Sequence, residues 1–123
     1  METIRFNFEN LNIWKKAIVF SKEVIALTDN LITERKHFRV IEQLEAASVS
    51  IPANIAEGTG RFSRKEFINF LYIARGSLYE TVTLLTICHQ NAWIQQADFK
   101  RLELQASEIN RMISGLINSI KRS

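Results

Sequence analysis

Polar side chains at helical spacing are the first candidates for chemistry in this sequence. Ser50, Asn54 and Glu57 follow the spacing i, i+4, i+7 and therefore share one face of a helix. A carboxylate in such a group can act as a general acid or base. Structural networks, however, also shift the pKa values of carboxylates. We interpret these residues as part of a structural polar cluster that fixes the register of two helices or of two subunits. Its predicted members are Ser50, Asn54, Glu57, Arg61, Ser77 and Glu80.

Metal ligands and nucleophiles are the next possibility, and the spacing does not support them. Glu34 and His37 form one Glu-x-x-His pair, whereas di-iron bundles need two such pairs and two further carboxylates. Cys88 and His89 are sequence neighbours, which on a helix point about 100° apart and cannot work directly as nucleophile and base. Residues 58–60, Gly-Thr-Gly, lack the length and the terminal lysine of a phosphate-binding loop. We predict no catalytic residue, no cofactor and no metal site, and a protein that is not an enzyme.

Lysines and arginines are the candidates for contact with phosphate groups, because the neutralisation of phosphates drives most binding to nucleic acids. The basic groups at 35–39 and 61–65 are expected near opposite ends of one helix. One subunit then has no evident continuous groove, whereas an oligomer can align the groups into a ring. The possible nucleic-acid contacts are Lys15, Lys16, Arg35, Lys36, Arg39, Arg61, Arg64, Lys65 and Arg75.

Tyr72, Arg75 and Tyr79 share one face of a predicted helix with Ile68. Aromatic residues next to arginine suit either the stacking of nucleic-acid bases or a protein interface. We favour the interface, because Tyr and Arg are enriched at such contacts.

The composition indicates a single all-α domain. A chain of 123 residues fits one domain, and four Gly and one Pro are too few for the turns of a β-sandwich or barrel. The net charge of +3 permits a weak attraction to nucleic acids. Cys88 is the single cysteine and cannot form an internal disulfide, and we find no secretion signal and no run of about 18 apolar residues. We expect a cytoplasmic protein with no membrane contact.

Helix-capping residues divide the chain into four helices. Thr33 is the predicted N-cap of the second helix, and Gly58 and Gly60 are expected to end it in left-handed conformations. Ser63 and Glu66 form a predicted capping box at the start of the third helix. We predict an up-down-up-down four-helix bundle as one domain over residues 1–123, with helices over about 11–31, 34–57, 64–91 and 97–121.

Pro52 lies inside the second predicted helix. Because proline has no backbone amide, it removes one helical hydrogen bond and frees the carbonyl of Ser48. We therefore expect a kink at this point.

The first predicted helix carries more apolar surface than one bundle core is expected to cover. One stripe consists of Leu11, Trp14, Ile18, Ser21 and Ile25, and the other consists of Ile13, Ala17, Phe20, Val24, Leu27 and Leu31. The two stripes are turned by roughly 200° from each other. We therefore expect self-association to cover one of them. The predicted oligomer interface is Ile13, Ala17, Phe20, Val24, Leu27, Tyr72 and Tyr79.

Several runs of the sequence resemble the family named for proteins encoded in intervening sequences of bacterial 23S ribosomal RNA genes. These runs are LNIWKKA at 11–17, QL at 43–44, SIPANIAEG at 50–58 and IARGSLYE at 73–80, and the resemblance covers most of the chain. It implies an up-down four-helix bundle that forms a homo-oligomer, with a pentamer favoured. It also implies nucleic-acid association, which the genomic setting of the family and related accessory proteins of diversity-generating retroelements suggest.

One departure from the family pattern counts against phosphate contact. A pair of arginines usually follows the Gln-Leu pair, whereas this chain has Glu45 and Ala46. If those arginines contact phosphate in relatives, two contacts are lost here and a repulsive carboxylate is gained. The leading hypothesis is a non-enzymatic homo-oligomeric scaffold with weak, sequence-tolerant binding of RNA, DNA or a ribonucleoprotein. The alternative is a protein–protein interaction module without nucleic-acid binding.

Overall fold

Four long α-helices follow a short 3₁₀ helix in the structure, a computed structural model that describes residues 6–31 and 37–123. The 3₁₀ helix covers Asn7–Asn10, and the α-helices are α1 (Asn12–Thr28), α2 (Phe38–Thr59), α3 (Arg64–Gln90) and α4 (Gln96–Arg122). The described residues contain no β-strand, which confirms the all-α class. The predicted cap Thr33 and the first predicted residues of the second helix lie outside the described ranges. Within those ranges, no helix is long and apolar enough to cross a membrane.

Each helix packs against two others. α1 and α3 both contact α2, and α4 contacts α1 and α3. Side-chain contacts between neighbouring helices join a residue late in one helix with a residue early in the other. The pairs are Thr28 with Glu45, Glu80 with Gln43, Glu23 with Arg101, and Ser123 with Arg64. This packing fits a helical bundle.

The core is apolar and draws on all four helices. In α4, Leu102, Ile109 and Ile113 share one face of the helix and are at most 1% exposed. Burial of a side chain of this size stabilises the fold by about 1.5–3 kcal/mol. The largest fully buried apolar residues are Phe20, Val24, Leu44, Ile51, Ile55, Leu71, Leu78, Leu85, Leu102, Ile109 and Ile113.

The structure corrects the assignment of an α1 stripe to a contact between subunits. Four of the predicted interface residues are at most 4% exposed within the single chain: Ile13, Ala17, Phe20 and Val24. The physical reason is that α1 lies against α2, α4 and the 3₁₀ helix at once, so that one molecule buries a wide face of it. Leu27 packs against the same core. Tyr72 and Tyr79, by contrast, are 39% and 54% exposed.

A hydroxyl group on α1 contacts the carbonyl that Pro52 leaves free. Pro52 lies inside α2 and is buried. The Ser21 hydroxyl donates a hydrogen bond to the carbonyl oxygen of Ser48 over 2.7 Å, and Ser21 itself is buried. A buried acceptor without a donor costs about 1–3 kcal/mol. This hydrogen bond therefore removes a penalty that Pro52 creates, and it joins α1 to α2.

Gly58 and Gly60 do not end α2 in the way that the sequence predicted. Neither residue adopts a left-handed conformation, because α2 continues through Thr59 and Gly60 keeps a right-handed one. Gly58 is buried, and a Cβ atom there would lie 2.8 Å from Cβ of Phe70 and 2.9 Å from Cδ1 of Phe67. Gly58 therefore serves the close approach of α2 to α3 and not a turn.

Candidate nucleic-acid interface

The first part of the predicted polar cluster joins α2 to α3. The hydroxyl oxygens of Ser50 and Ser77 lie 2.9 Å apart. The side-chain amide of Asn54 donates to both the carbonyl and the hydroxyl oxygen of Ser50, each over 2.8 Å. These three side chains therefore hold one register between the two helices.

The two carboxylates of the predicted cluster lie apart from this contact. Oε1 of Glu57 forms an exposed ion pair with Nη2 of Arg61 over 2.7 Å. Oε2 of Glu80 accepts a hydrogen bond from Nε2 of Gln43 over 3.0 Å. The structure therefore divides the predicted cluster into three contacts, and the carboxylates do not form an acid–base pair in the part of the chain that it describes.

Cys88 and the two histidines are engaged in packing. Burial raises the pKa of the Cys88 thiol, which keeps the thiol protonated and unreactive. The ring of His37 stacks on Trp93 with 4.2 Å between centroids, and the ring of His89 stacks on Phe99 with 4.4 Å. Glu34, the predicted companion of His37, lies outside the described residues.

Positive charge gathers where α3 begins and α4 ends. Ser63 is the N-cap of α3, and its hydroxyl accepts a hydrogen bond from the amide of Glu66 over 3.1 Å, as predicted for that half of the capping box. Arg64 then reaches across to the backbone oxygen and the hydroxyl group of Ser123, and so joins the start of α3 to the end of α4. We name this region the basic end. It carries Arg61, Arg64, Lys65, Arg75, Lys121 and Arg122.

Tyr72 contacts two of these cations, one on its own helix and one on α4. The guanidinium carbon of Arg75 lies 5.0 Å from the centroid of the Tyr72 ring, and Nζ of Lys121 lies 5.8 Å from it. Nζ of Lys121 also donates to the Tyr72 hydroxyl over 3.2 Å. The cation–π contact of Arg75 stabilises by about 0.5–1 kcal/mol at an exposed site, whereas Lys121 is held by its hydrogen bond to the Tyr72 hydroxyl. Tyr72, which the sequence assigned to an oligomer interface, therefore positions two positive charges from different helices.

Acidic residues neutralise only part of the basic end. The guanidinium group of Arg61 is paired with Glu57 and lies 4.6 Å from the centroid of the Phe70 ring. Lys65 and Arg122 are exposed, and neither forms an ion pair with another described residue. The basic end therefore keeps an excess of positive charge that is open to solvent.

The remaining predicted phosphate contacts lie elsewhere. Lys16 is paired with Glu108 over 2.7 Å in the α1–α4 contact, next to the exposed Lys15. Arg39 is exposed near the start of α2, whereas Arg61 follows the other end of that helix. Two predicted contacts, Arg35 and Lys36, lie outside the described residues.

Sequence reasoning missed Lys121 and Arg122 as members of this site. Both lie in the last turn of α4, and Lys121 contacts Tyr72 of α3 because the two helices pack side by side. The available signal was the pair of basic residues at the end of an amphipathic helix. Basic residues are also favourable there because they complement the helix dipole, so the pair did not point to a phosphate site.

Comparison with known proteins identifies the family. Residues 9–115 match the family described as 23S rRNA-intervening sequence protein. The chain belongs to this family. None of the curated proteins matches the chain.

A solved structure agrees with the assignment to the 23S rRNA-intervening sequence protein family. It is the crystal structure of a protein of unknown function from the S23 ribosomal protein family of Bacteroides thetaiotaomicron VPI-5482. The two chains are 28% identical, and the match covers 85% of this chain and 97% of the other, with a TM-score of 0.80. The two proteins are therefore similar in fold over most of this chain and nearly all of the other.

Proposed function

We propose that this member of the 23S rRNA-intervening sequence protein family is a non-enzymatic, homo-oligomeric scaffold that binds RNA or DNA weakly and with little sequence preference. The observation that carries the proposal is the basic end, where Tyr72 contacts both Arg75 and Lys121 and where Lys65 and Arg122 form no ion pair among the described residues. Phosphate is the nucleic-acid group that such a surface attracts, and phosphate contacts carry no direct sequence information.

Exposed apolar residues on α3 support the oligomeric part of the proposal. Ile73, Tyr79 and Ile87 are 51%, 54% and 41% exposed, and aromatic and apolar side chains favour protein interfaces. A cytoplasmic location is part of the proposal on the grounds given by the sequence. The resemblance to the family favours a pentamer with an up-down-up-down order of helices in each subunit. Such a ring repeats the basic end in every subunit, and several weak contacts on one polyanion then add up through multivalency.

The test of nucleic-acid binding is the affinity for a short labelled RNA over a range of salt concentrations. We expect log K to fall by roughly 0.7–0.9 for each phosphate contact per tenfold rise in salt. Substitution Lys65→Ala or Lys121→Ala removes one contact and should make the slope shallower by about that amount. The matched controls Arg39→Ala and Lys100→Ala remove exposed cations away from the basic end. They should leave the salt slope unchanged. Binding that does not respond to salt, or no binding at low salt, contradicts the proposal.

A protein–protein interaction module remains the second candidate, and a groove between α3 and α4 favours it. The groove has a volume of about 520 Å³, and Leu78, Tyr79, Val82 and Ala106 line it together with polar residues. A polypeptide that supplies an apolar side chain fits this groove. Such binding depends much less on salt than phosphate contact does.

A further inference from the structure

Phe62 is an exposed apolar residue at the basic end. It lies in the short connection between α2 and α3, and its relative exposure is 103%. Arg61 precedes it, and Arg64 and Lys65 follow within three residues. Within the described parts of the chain, no residue packs against its ring. A phenyl ring that meets only water, in the middle of a basic segment, has the properties of a contact site for a ligand that is both aromatic and anionic.

The other aromatic rings of the basic end already have partners. The guanidinium carbon of Arg75 lies 5.0 Å from the centroid of the Tyr72 ring, and Nζ of Lys121 donates to the Tyr72 hydroxyl. The Phe70 ring is covered by the guanidinium group of Arg61, at 4.6 Å. Tyr72 and Phe70 therefore serve to position cations, whereas both faces of Phe62 are open to a ligand.

We propose that Phe62 is a base-stacking subsite, and that the basic end therefore prefers single-stranded nucleic acid to a duplex. The bases of a duplex are stacked on one another, whereas those of a single strand can be turned out and stacked on an aromatic side chain. Stacking of one base on Phe62 leaves the neighbouring phosphates near Arg64 and Lys65. This inference rests on the proposed nucleic-acid binding and names the class of nucleic acid that is bound.

The test compares the affinities of the full chain for a single-stranded RNA and for the matching duplex at one salt concentration. Phe62→Ala should weaken binding of the single strand by about 5- to 150-fold, the range that one base–aromatic stack accounts for. Its salt slope should not change, because no phosphate contact is lost. Phe62→Trp keeps the stacking surface and should retain the affinity, and fluorescence of the new indole should be quenched by the single strand. Lys65→Ala serves as the opposite control. It should lower the affinity for both the single strand and the duplex and make the salt dependence shallower.

The outcomes separate this inference from the function on which it rests. If single strand and duplex bind equally and Phe62→Ala affects neither, the stacking subsite is refuted while nucleic-acid binding stands. If neither ligand binds at low salt, the proposed function itself fails. If Phe62→Ala instead lowers the mass of the assembly in light scattering and leaves RNA affinity intact, Phe62 belongs to a protein contact and the stacking proposal is overturned. Phe62 is fully exposed, so thermal unfolding should be the same for both variants and the wild type.

Discussion

Glu108 and Lys16 form an exposed ion pair in the α1–α4 contact. The pair depends on pH because the Glu108 carboxyl must be ionised. The hydrogen bond and the charge of Lys16 lower the pKa of the Glu108 carboxyl, and the charge of Arg111 contributes in the same direction. Because the pKa is lower in the folded state, the stabilisation is complete above the ordinary pKa of a glutamate and is lost as the pH falls through the folded value. The pair is exposed, so its effect on stability is small.

Replacement of Lys16 should return the carboxyl of Glu108 toward its ordinary pKa. We expect the variant Lys16→Met to raise the pKa of Glu108 toward 4.5, measured by NMR titration of the side-chain carboxyl carbon. Lys15→Met is the matched control, since Lys15 is exposed beside Lys16, and it should leave this titration unchanged. Equal titration curves for Lys16→Met and the wild type would contradict the assignment of the shift to this pair.

The interpretation of Glu45 changes once its neighbours in the structure are known. The sequence suggested that this carboxylate replaces a phosphate-binding arginine and repels nucleic acid. In the structure, Oε2 of Glu45 accepts a hydrogen bond from the hydroxyl of Thr28 over 2.7 Å, and the residue is half-buried in the α1–α2 contact. Glu45 therefore belongs to the packing of two helices and lies away from the basic end.

At the scale of the helices, Pro52 and Ser21 form a coupled pair. Pro52 deprives the Ser48 carbonyl of its helical donor, and the Ser21 hydroxyl supplies the replacement over 2.7 Å. We expect Ser21→Ala to lower the free energy of unfolding by about 1–3 kcal/mol, because a buried acceptor is left without a partner. Chemical denaturation with an unchanged m-value is the measurement.

A double-mutant cycle separates this explanation from a loss of packing. In the variant Pro52→Ala, residue 52 regains an amide that can donate to the Ser48 carbonyl. In that background, Ser21→Ala should lower the free energy of unfolding much less. Thr83→Ala is a control, since its exposed hydroxyl donates to a carbonyl within α3 and its loss should cost little. If Ser21→Ala destabilises equally with and without Pro52, the proposed coupling is refuted.

At the scale of the whole molecule, charge is distributed unevenly. The basic end contrasts with the helix ends farther from it, where many of the acidic residues lie. These include Glu23, Asp29, Glu42, Glu45 and Asp98. Two of them, Glu23 and Asp98, are held by Arg101 over 2.9 and 2.8 Å. Lys22, Arg39, Lys100 and Arg101 lie near these acidic residues, so those helix ends are of mixed charge. We therefore expect a polyanion to attract the basic end more strongly.

The proposed oligomer should depend on the exposed apolar residues of α3. We expect light scattering to give a mass of several subunits for the wild type and a lower mass for Ile73→Asp and Tyr79→Asp, since a buried unpaired charge is costly. Asn118→Asp adds the same charge at an exposed polar position of α4 and should leave the mass unchanged. A wild-type mass of one subunit would refute self-association, and full-size assemblies of both variants would place the interface elsewhere.

Local patterns in the sequence were sufficient to predict most of the fold. The described parts of the four helices follow from helical periodicity, and the hydroxyl half of the cap at Ser63 follows from the spacing of Ser63 and Glu66. The stripe of α4 was recognisable because one face of that helix is apolar and the other is charged. α1 was misjudged because its apolar stripes cover a wide arc, and a sequence does not tell how many neighbours a helix has.

The sequence by itself determined the helical class, the family and the presence of a basic chain with no obvious catalytic motif, since each depends on residue types at short spacing. Tertiary structure decided which side chains meet. It placed Phe20 in the core, divided the predicted polar cluster, brought Lys121 to Tyr72 and left Phe62 in solvent. The physical reason is that a helix face is defined by neighbours that are distant in sequence, and those neighbours are known only when the helices are packed together.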